Sequence, residues 1–202
     1  MSFRFLLVVV FLGAALAGAI AVLYTGSPAS KLEFRAGTAL DQPRPITEFE
    51  LVDHRGQPFR RADLQGRWSL LFAGFTNCPD ICPATLMQLD SVDTRLRAAN
   101  GGLQTVFLSV DPERDTPGKL AEYVEFFNPG FIGVTGQKPE IDRLCDDLGL
   151  AYIKIPQSEG RYTVDHSAAV VLIDPQARVA AYFTQPLDVV EMADDLVALP
   201  GG

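Results

Sequence analysis

Positive charge is what this chain lacks most. Its 202 residues carry 17 Lys and Arg against 25 Asp and Glu, a formal net charge of −8. That balance argues against nucleic acid or anionic lipid headgroups as partners, and no run of Lys or Arg marks a docking face. Arg4 is the only charge before Thr25, so an Arg-rich, Ser-rich amphipathic transit leader is absent. No cysteine follows the N-terminal apolar run, which excludes a lipid-modified Cys there. Internal repeats and low-complexity segments are also missing. No nucleophilic Ser stands with a paired base, so no hydrolytic role is assigned. Cysteine and histidine are few, three and two, and the chemistry on offer concentrates in them.

The first feature present is an uncharged stretch from Phe5 to Tyr24. At about 1.5 Å per residue it spans roughly 30 Å, enough to cross a hydrocarbon core. It reads as a transmembrane anchor over residues 1–24. The alternative is a signal peptide cut after Ala15-Leu16-Ala17. Arg4 on one side opposes Lys31 and Arg35 on the other, so charge does not decide orientation. Either reading carries the main domain out of the cytoplasm. Residues 25–44, with Pro28 and Pro43, read as a tether, and residues 45–202 as one globular domain.

Within that domain, buried-type strands alternate with helices. The apolar run Ser69–Phe75 predicts a central strand, and a helix follows to about Ala99. Leu103–Val110 predicts a second strand, with a helix to Phe127 after it. Phe131–Thr135 reads as a strand, Pro139–Leu148 as a helix closed by Gly149, and Ala151–Ile155 as a strand. A polar loop over residues 156–163 precedes a strand over 164–173, its hairpin partner at Val179–Phe183, and a closing helix from Pro186. Upstream, Phe49–Phe59 reads as a hairpin turning at Arg55-Gly56. The order predicts an α/β, thioredoxin-like domain.

Two of the three cysteines, Cys78 and Cys82, lie in the turn between the central strand and its helix. The positive end of a helix dipole favours thiolate, which predicts a lowered thiol pKa. A structural disulfide is the alternative, but closing so small a loop restricts the unfolded chain little. A functional dithiol is therefore favoured, with Cys78 as the more exposed, attacking thiol. The spacing is C-x-x-x-C, one residue wider than the usual thioredoxin turn, and it lets both sulfurs face one metal ion. Topology brings the segment Val164-Asp165-His166 to face that turn. Cys78, Cys82 and His166 thus make an S₂N donor set suited to copper(I), and to copper(II) with an added ligand. Asp165 is placed to orient the ring or accept behind it. His54 reads as an exposed turn residue and Cys145 as a buried, inert helix thiol. Asp111 and Asp115 read as turn and capping residues.

Three separated motifs resemble the Sco/SenC family of copper chaperones for cytochrome c oxidase. They are Phe75-Thr76-Asn77-Cys78-Pro79-Asp80-Ile81-Cys82-Pro83, Ser109-Val110-Asp111-Pro112-Glu113-Arg114-Asp115-Thr116-Pro117, and Tyr162-Thr163-Val164-Asp165-His166-Ser167. The resemblance implies one copper ion held by Cys78, Cys82 and His166. It implies a role in building the binuclear copper site of cytochrome c oxidase subunit II, by delivering copper or by reducing the cysteine pair of that site. It further implies other copper chaperones or a thiol reductant as partners, and a single-pass location in a bacterial inner membrane with the domain facing the periplasm. Thiol–disulfide reductase and membrane-tethered copper or redox sensor are the competing functions.

Overall fold

The organising element is the strand β4, Ser69–Gly74, in which every residue is buried. Its apolar residues fall on both faces, so it is stable only inside a sheet covered on both sides. The structure, a computed structural model, describes residues 32–99 and 101–200. In it β4 pairs in parallel with β5, Gln104–Ser109, and antiparallel with β9, Val170–Ile173. β5 continues in parallel to β6, Ile132–Thr135. The sheet is completed by β1 (Thr38–Pro45), β2 (Glu50–Asp53), β3 (Pro58–Arg60) and β10 (Arg178–Phe183). Its eight strands run β1-β10-β9-β4-β5-β6-β2-β3.

Among the described residues, four α-helices connect or close these strands: α1 Ile81–Ala98, α2 Pro117–Phe127, α3 Lys138–Leu148 and α4 Val189–Val197. α1 packs on α4, α2 on β6 and α3 on β2. Gly149 ends α3 at φ 67°, the left-handed conformation that glycine adopts without a Cβ penalty. The α/β, thioredoxin-like expectation holds. Because β4 and β5 are parallel neighbours, with Gly74 opposite Ser109, the loops that follow them emerge at the same end. That end carries the dithiol turn.

Several expectations change. Residues 38–44 are sheet strand rather than tether, since β1 pairs with β10. Ahead of it, the backbone N–H groups of Arg35 and Ala36 both donate to Asp195 at 2.8 Å, and Phe34 packs on Phe183 at 5.5 Å. Prolines are tolerated in β1 because it is an edge strand. The expected strand over 164–173 is two strands in two sheets. β8, Tyr162–His166, pairs with β7, Tyr152–Pro156, in a separate two-stranded sheet, and only β9 joins the main one. The polar loop is the tip of that hairpin. The expected anchor over 1–24 lies outside the described residues. Among the described residues no helix is long and apolar enough to cross a membrane.

Candidate metal centre

Cys78 sits in the loop after β4, its N–H bonded to the Phe75 carbonyl at 3.1 Å. Cys82 lies in the first turn of α1. Helix starts leave backbone N–H groups without intrahelical partners; that of Cys82 points at Cys78 Sγ, 3.4 Å away. All three cysteines are free thiols. Cys78 is 9% exposed and Cys82 is 0% exposed. The expected lowering of thiol pKa does not hold for Cys82. Burial pushes it well above the ordinary thiol range, the contact with Cys78 and the field of Asp115 add to this, and a backbone contact at Phe75 only partly opposes them.

Gly74 is the reason the Cys82 sulfur fits. A Cβ there would lie 2.7 Å from Cys82 Sγ and 2.9 Å from the Phe107 ring. The residue ending the central strand must therefore lack a side chain.

His166 ends β8 and reaches over the turn, with Nε2 3.3 Å from Cys82 Sγ. Its ring stands edge-on to Phe75 at 6.0 Å and to Phe72 at 5.9 Å. Nδ1 lies 3.1 Å from the Ser167 carbonyl oxygen. A carbonyl only accepts, so this bond puts the ring proton on Nδ1 and leaves the Nε2 lone pair facing the sulfur. Burial lowers the His166 pKa; the Ser167 carbonyl and Asp165 oppose that shift. Asp165 is exposed, and alternation along β8 carries it away from the ring. The orienting partner expected at Asp165 is thus the Ser167 carbonyl, and Asp165 contributes only its field.

Cys78, Cys82 and His166 offer three donor atoms within 4.8 Å of one another. Two sulfurs and one imidazole nitrogen form a soft set that fits copper(I). Cys145 stays apart in α3, 2% exposed, its thiol pushed up to about 12 by burial. His54 corrects the exposed-turn expectation. It is 5% exposed, and its Nδ1 accepts from the Gly133 N–H at 3.1 Å.

Sequence reasoning undervalued Asp111 and Asp115, which are both fully buried. Asp115 accepts from the Thr76 N–H at 2.9 Å, the Thr76 hydroxyl at 2.6 Å and the Ser109 hydroxyl at 2.7 Å. It therefore fixes the start of the dithiol loop. Asp111 accepts from Arg114 and, at 2.7 Å, from the Tyr162 hydroxyl on β8. The available signal was an acid-rich loop directly after a buried strand parallel to β4.

The SCO1/SenC family model matches residues 38–200. This chain belongs to the SCO1/SenC family. It is 41% identical over 149 residues to a putative copper-binding protein of Stutzerimonas stutzeri, covering 73% of each chain. It is 35% identical over 194 residues to the mitochondrial SCO2 homolog of Bos taurus, covering 95% of this chain and 73% of that protein. Among solved structures it is similar to Arabidopsis thaliana ScoI with copper bound, at TM-score 0.72 and 34% identity, over 75% of this chain and 95% of that one.

Proposed function

We propose that this SCO1/SenC protein is a copper-binding metallochaperone that assists cytochrome c oxidase assembly. The observation that carries the reading is the convergence of two cysteine sulfurs and a neutral imidazole within 4.8 Å. Copper is the cargo, and Cys78, Cys82 and His166 are its ligands. Thiolates favour copper(I), and the aromatic rings of Phe72 and Phe75 limit water around the imidazole. Asn77 and Pro79, which flank Cys78, line a cleft of about 480 Å³ together with Arg161 and Tyr162 of the hairpin. A partner seated in that cleft contacts both neighbours of Cys78, the more exposed of the two site thiols.

The finer assignments follow the family reading. The receiving partner is cytochrome c oxidase subunit II at its binuclear copper site, and other copper chaperones or a thiol reductant act upstream. Residues 1–24 anchor the chain in the inner membrane as a single span, with the folded domain in the periplasm.

A second reading, thiol–disulfide reduction, is favoured by the unequal exposure of the two free thiols. Cys78, as thiolate, attacks a partner disulfide and releases one partner thiolate. Cys82, its proton passing to the released partner thiolate or to solvent, then attacks the Cys78 sulfur, releasing the second partner thiolate and leaving a Cys78–Cys82 disulfide. Two electrons pass to the partner.

The two readings separate in one assay. The full chain, loaded with copper(I), is mixed anaerobically with the copper-binding domain of subunit II in reduced apo form. Appearance of metal in that domain supports delivery. No transfer, together with stoichiometric reduction of the disulfide form of the same domain by the copper-free chain, makes reduction the activity.

A further inference from the structure

The two halves of the donor set come from different sheets. Cys78 and Cys82 follow the central strand of the eight-stranded sheet, whereas His166 rides on the β7–β8 hairpin, which among the described residues shares no strand pairing with that sheet. Ser167–Ala169 link the hairpin to β9, which pairs with β4; beyond that link, the hairpin is held over the dithiol turn by side-chain ties. At the base of the hairpin, the Tyr152 hydroxyl bonds Asp142 of α3. Near the dithiol turn, the tie is Arg114.

Arg114 makes contacts that converge on β8. Its Nε donates to Asp111, and its Nη1 donates to the Tyr162 carbonyl at 3.1 Å. Its guanidinium lies 3.9 Å over the Tyr162 ring. Asp111 closes the circuit by accepting from the Tyr162 hydroxyl at 2.7 Å. Tyr162 and His166 are four residues apart on one strand, hence on one face. The same guanidinium lies 5.6 Å from the centre of the Phe75 ring, and Phe75 is the ring that stands at 90° to His166. Arg114 thus touches both the strand that carries the imidazole and the ring against which it packs. Lys154 also lies 4.4 Å over the Tyr162 ring and pairs with Glu113 at 2.5 Å, so the loop after β5 grips the hairpin twice.

We propose that Arg114 is a positioning residue for copper capture: it holds the His166 imidazole over the Cys78–Cys82 turn through Tyr162 and Phe75. The inference rests on the copper reading above for its consequence, and on the apo geometry for its cause. A planar fork can donate to Asp111 and to the Tyr162 carbonyl while lying flat on a ring. An ammonium cannot do all three, so Lys is the informative replacement: it keeps the charge beside buried Asp111 and loses the fork.

The test uses the full reduced chain under anaerobic conditions and a double-mutant cycle of Arg114→Lys with His166→Ala. Copper(I) affinity is read by competition with a chromophoric chelator. Arg114→Lys is expected to weaken binding about ten- to a hundred-fold, the usual scale for a residue that orients a metal ligand. In the His166→Ala background the same change should have little further effect. An equal loss in both backgrounds would overturn the proposal, because Arg114 would then act on the cysteines or on the fold at large. A second arm needs no copper. Nuclear Overhauser effects between the His166 and Phe75 rings should weaken in Arg114→Lys, and Tyr162→Phe should weaken them less because it keeps the stacked ring. Unchanged effects in both variants would overturn the proposal. A wild-type chain that fails to bind copper, while Arg114→Lys still separates the two rings, would sink the copper reading and leave the positioning role standing.

Discussion

Replacing Gly74 by Ala tests the packing of the dithiol turn with one methyl group. The added Cβ would fall 2.7 Å from Cys82 Sγ and 2.9 Å from Phe107 Cε2, where ordinary contact begins near 3.4 Å. Both neighbours must therefore retreat by about half an ångström or more. Neither has room: Cys82 and Phe107 are both 0% exposed, the first fixed in the opening turn of α1 and the second in β5. Overpacking of this kind costs about 1–3 kcal/mol, and two rigid obstructions place Gly74→Ala toward the upper end. For a domain of this size that lowers the melting temperature by about 6–12 °C. Because the displaced atom is a proposed ligand, copper(I) affinity should fall as well, by about tenfold or more. Gly136→Ala is the control. Its Cβ meets Leu51 Cδ2 at 2.7 Å, so it should lose stability and keep copper affinity. Thermal melts of the apo chains and chelator competition measure both quantities. A Gly74→Ala chain with wild-type stability and wild-type affinity would refute the packing argument.

Three further outcomes follow from the same geometry. Alkylation of the reduced apo chain at pH 8, followed by mass spectrometry, should label Cys78 first. Cys82 and Cys145, buried with raised thiol pKa values, should react only on unfolding, and early labelling of Cys145 would contradict its burial. Copper(I) uptake near pH 7 should release at least the Cys82 proton, so affinity should rise with pH by about tenfold per unit for each proton released. The sign for the apo fold is opposite: a thiol pKa raised by folding gives stability that is full below the ordinary thiol value, 9.0, and is lost as pH climbs above it. Calorimetric titration in buffers of different ionisation enthalpy counts the protons, and a count of zero would contradict the assignment. Asp115→Ala strands the Thr76 N–H and the Ser109 hydroxyl near the turn and should cost about 2–5 kcal/mol in urea unfolding; a loss under about 0.5 kcal/mol would show that Asp115 does not hold the loop.

What the sequence revealed follows the range of the forces involved. β4 was legible because Leu70, Leu71, Phe72 and Ala73 are apolar on both faces, and that pattern has few other solutions. The end of α3 was legible because Gly149 supplies the left-handed residue that a helix stop uses. The Cys78, Cys82 and His166 convergence was legible because topology alone places the segment before β9 beside the turn after β4. β1 was missed because it is an edge strand of mixed exposure with prolines in it, so its pairing with β10 leaves no local trace. His54 was misplaced because its burial depends on Gly133, 79 residues away. The handover from β8 to β9 was hidden inside one apolar-looking run, since Ser167–Ala169 carries no turn signal. Asp165 was read as the ring's partner because side-chain chemistry is visible in a sequence, whereas a backbone carbonyl such as that of Ser167 is not.

The most direct test is the copper(I) stoichiometry and affinity of the full reduced chain, compared with Cys78→Ser and His166→Ala. The account predicts one tightly held copper per chain in the wild type, loss of tight binding in Cys78→Ser, and clear weakening in His166→Ala. A wild-type chain that takes up no copper, or a His166→Ala chain with undiminished affinity, would contradict the three-ligand site.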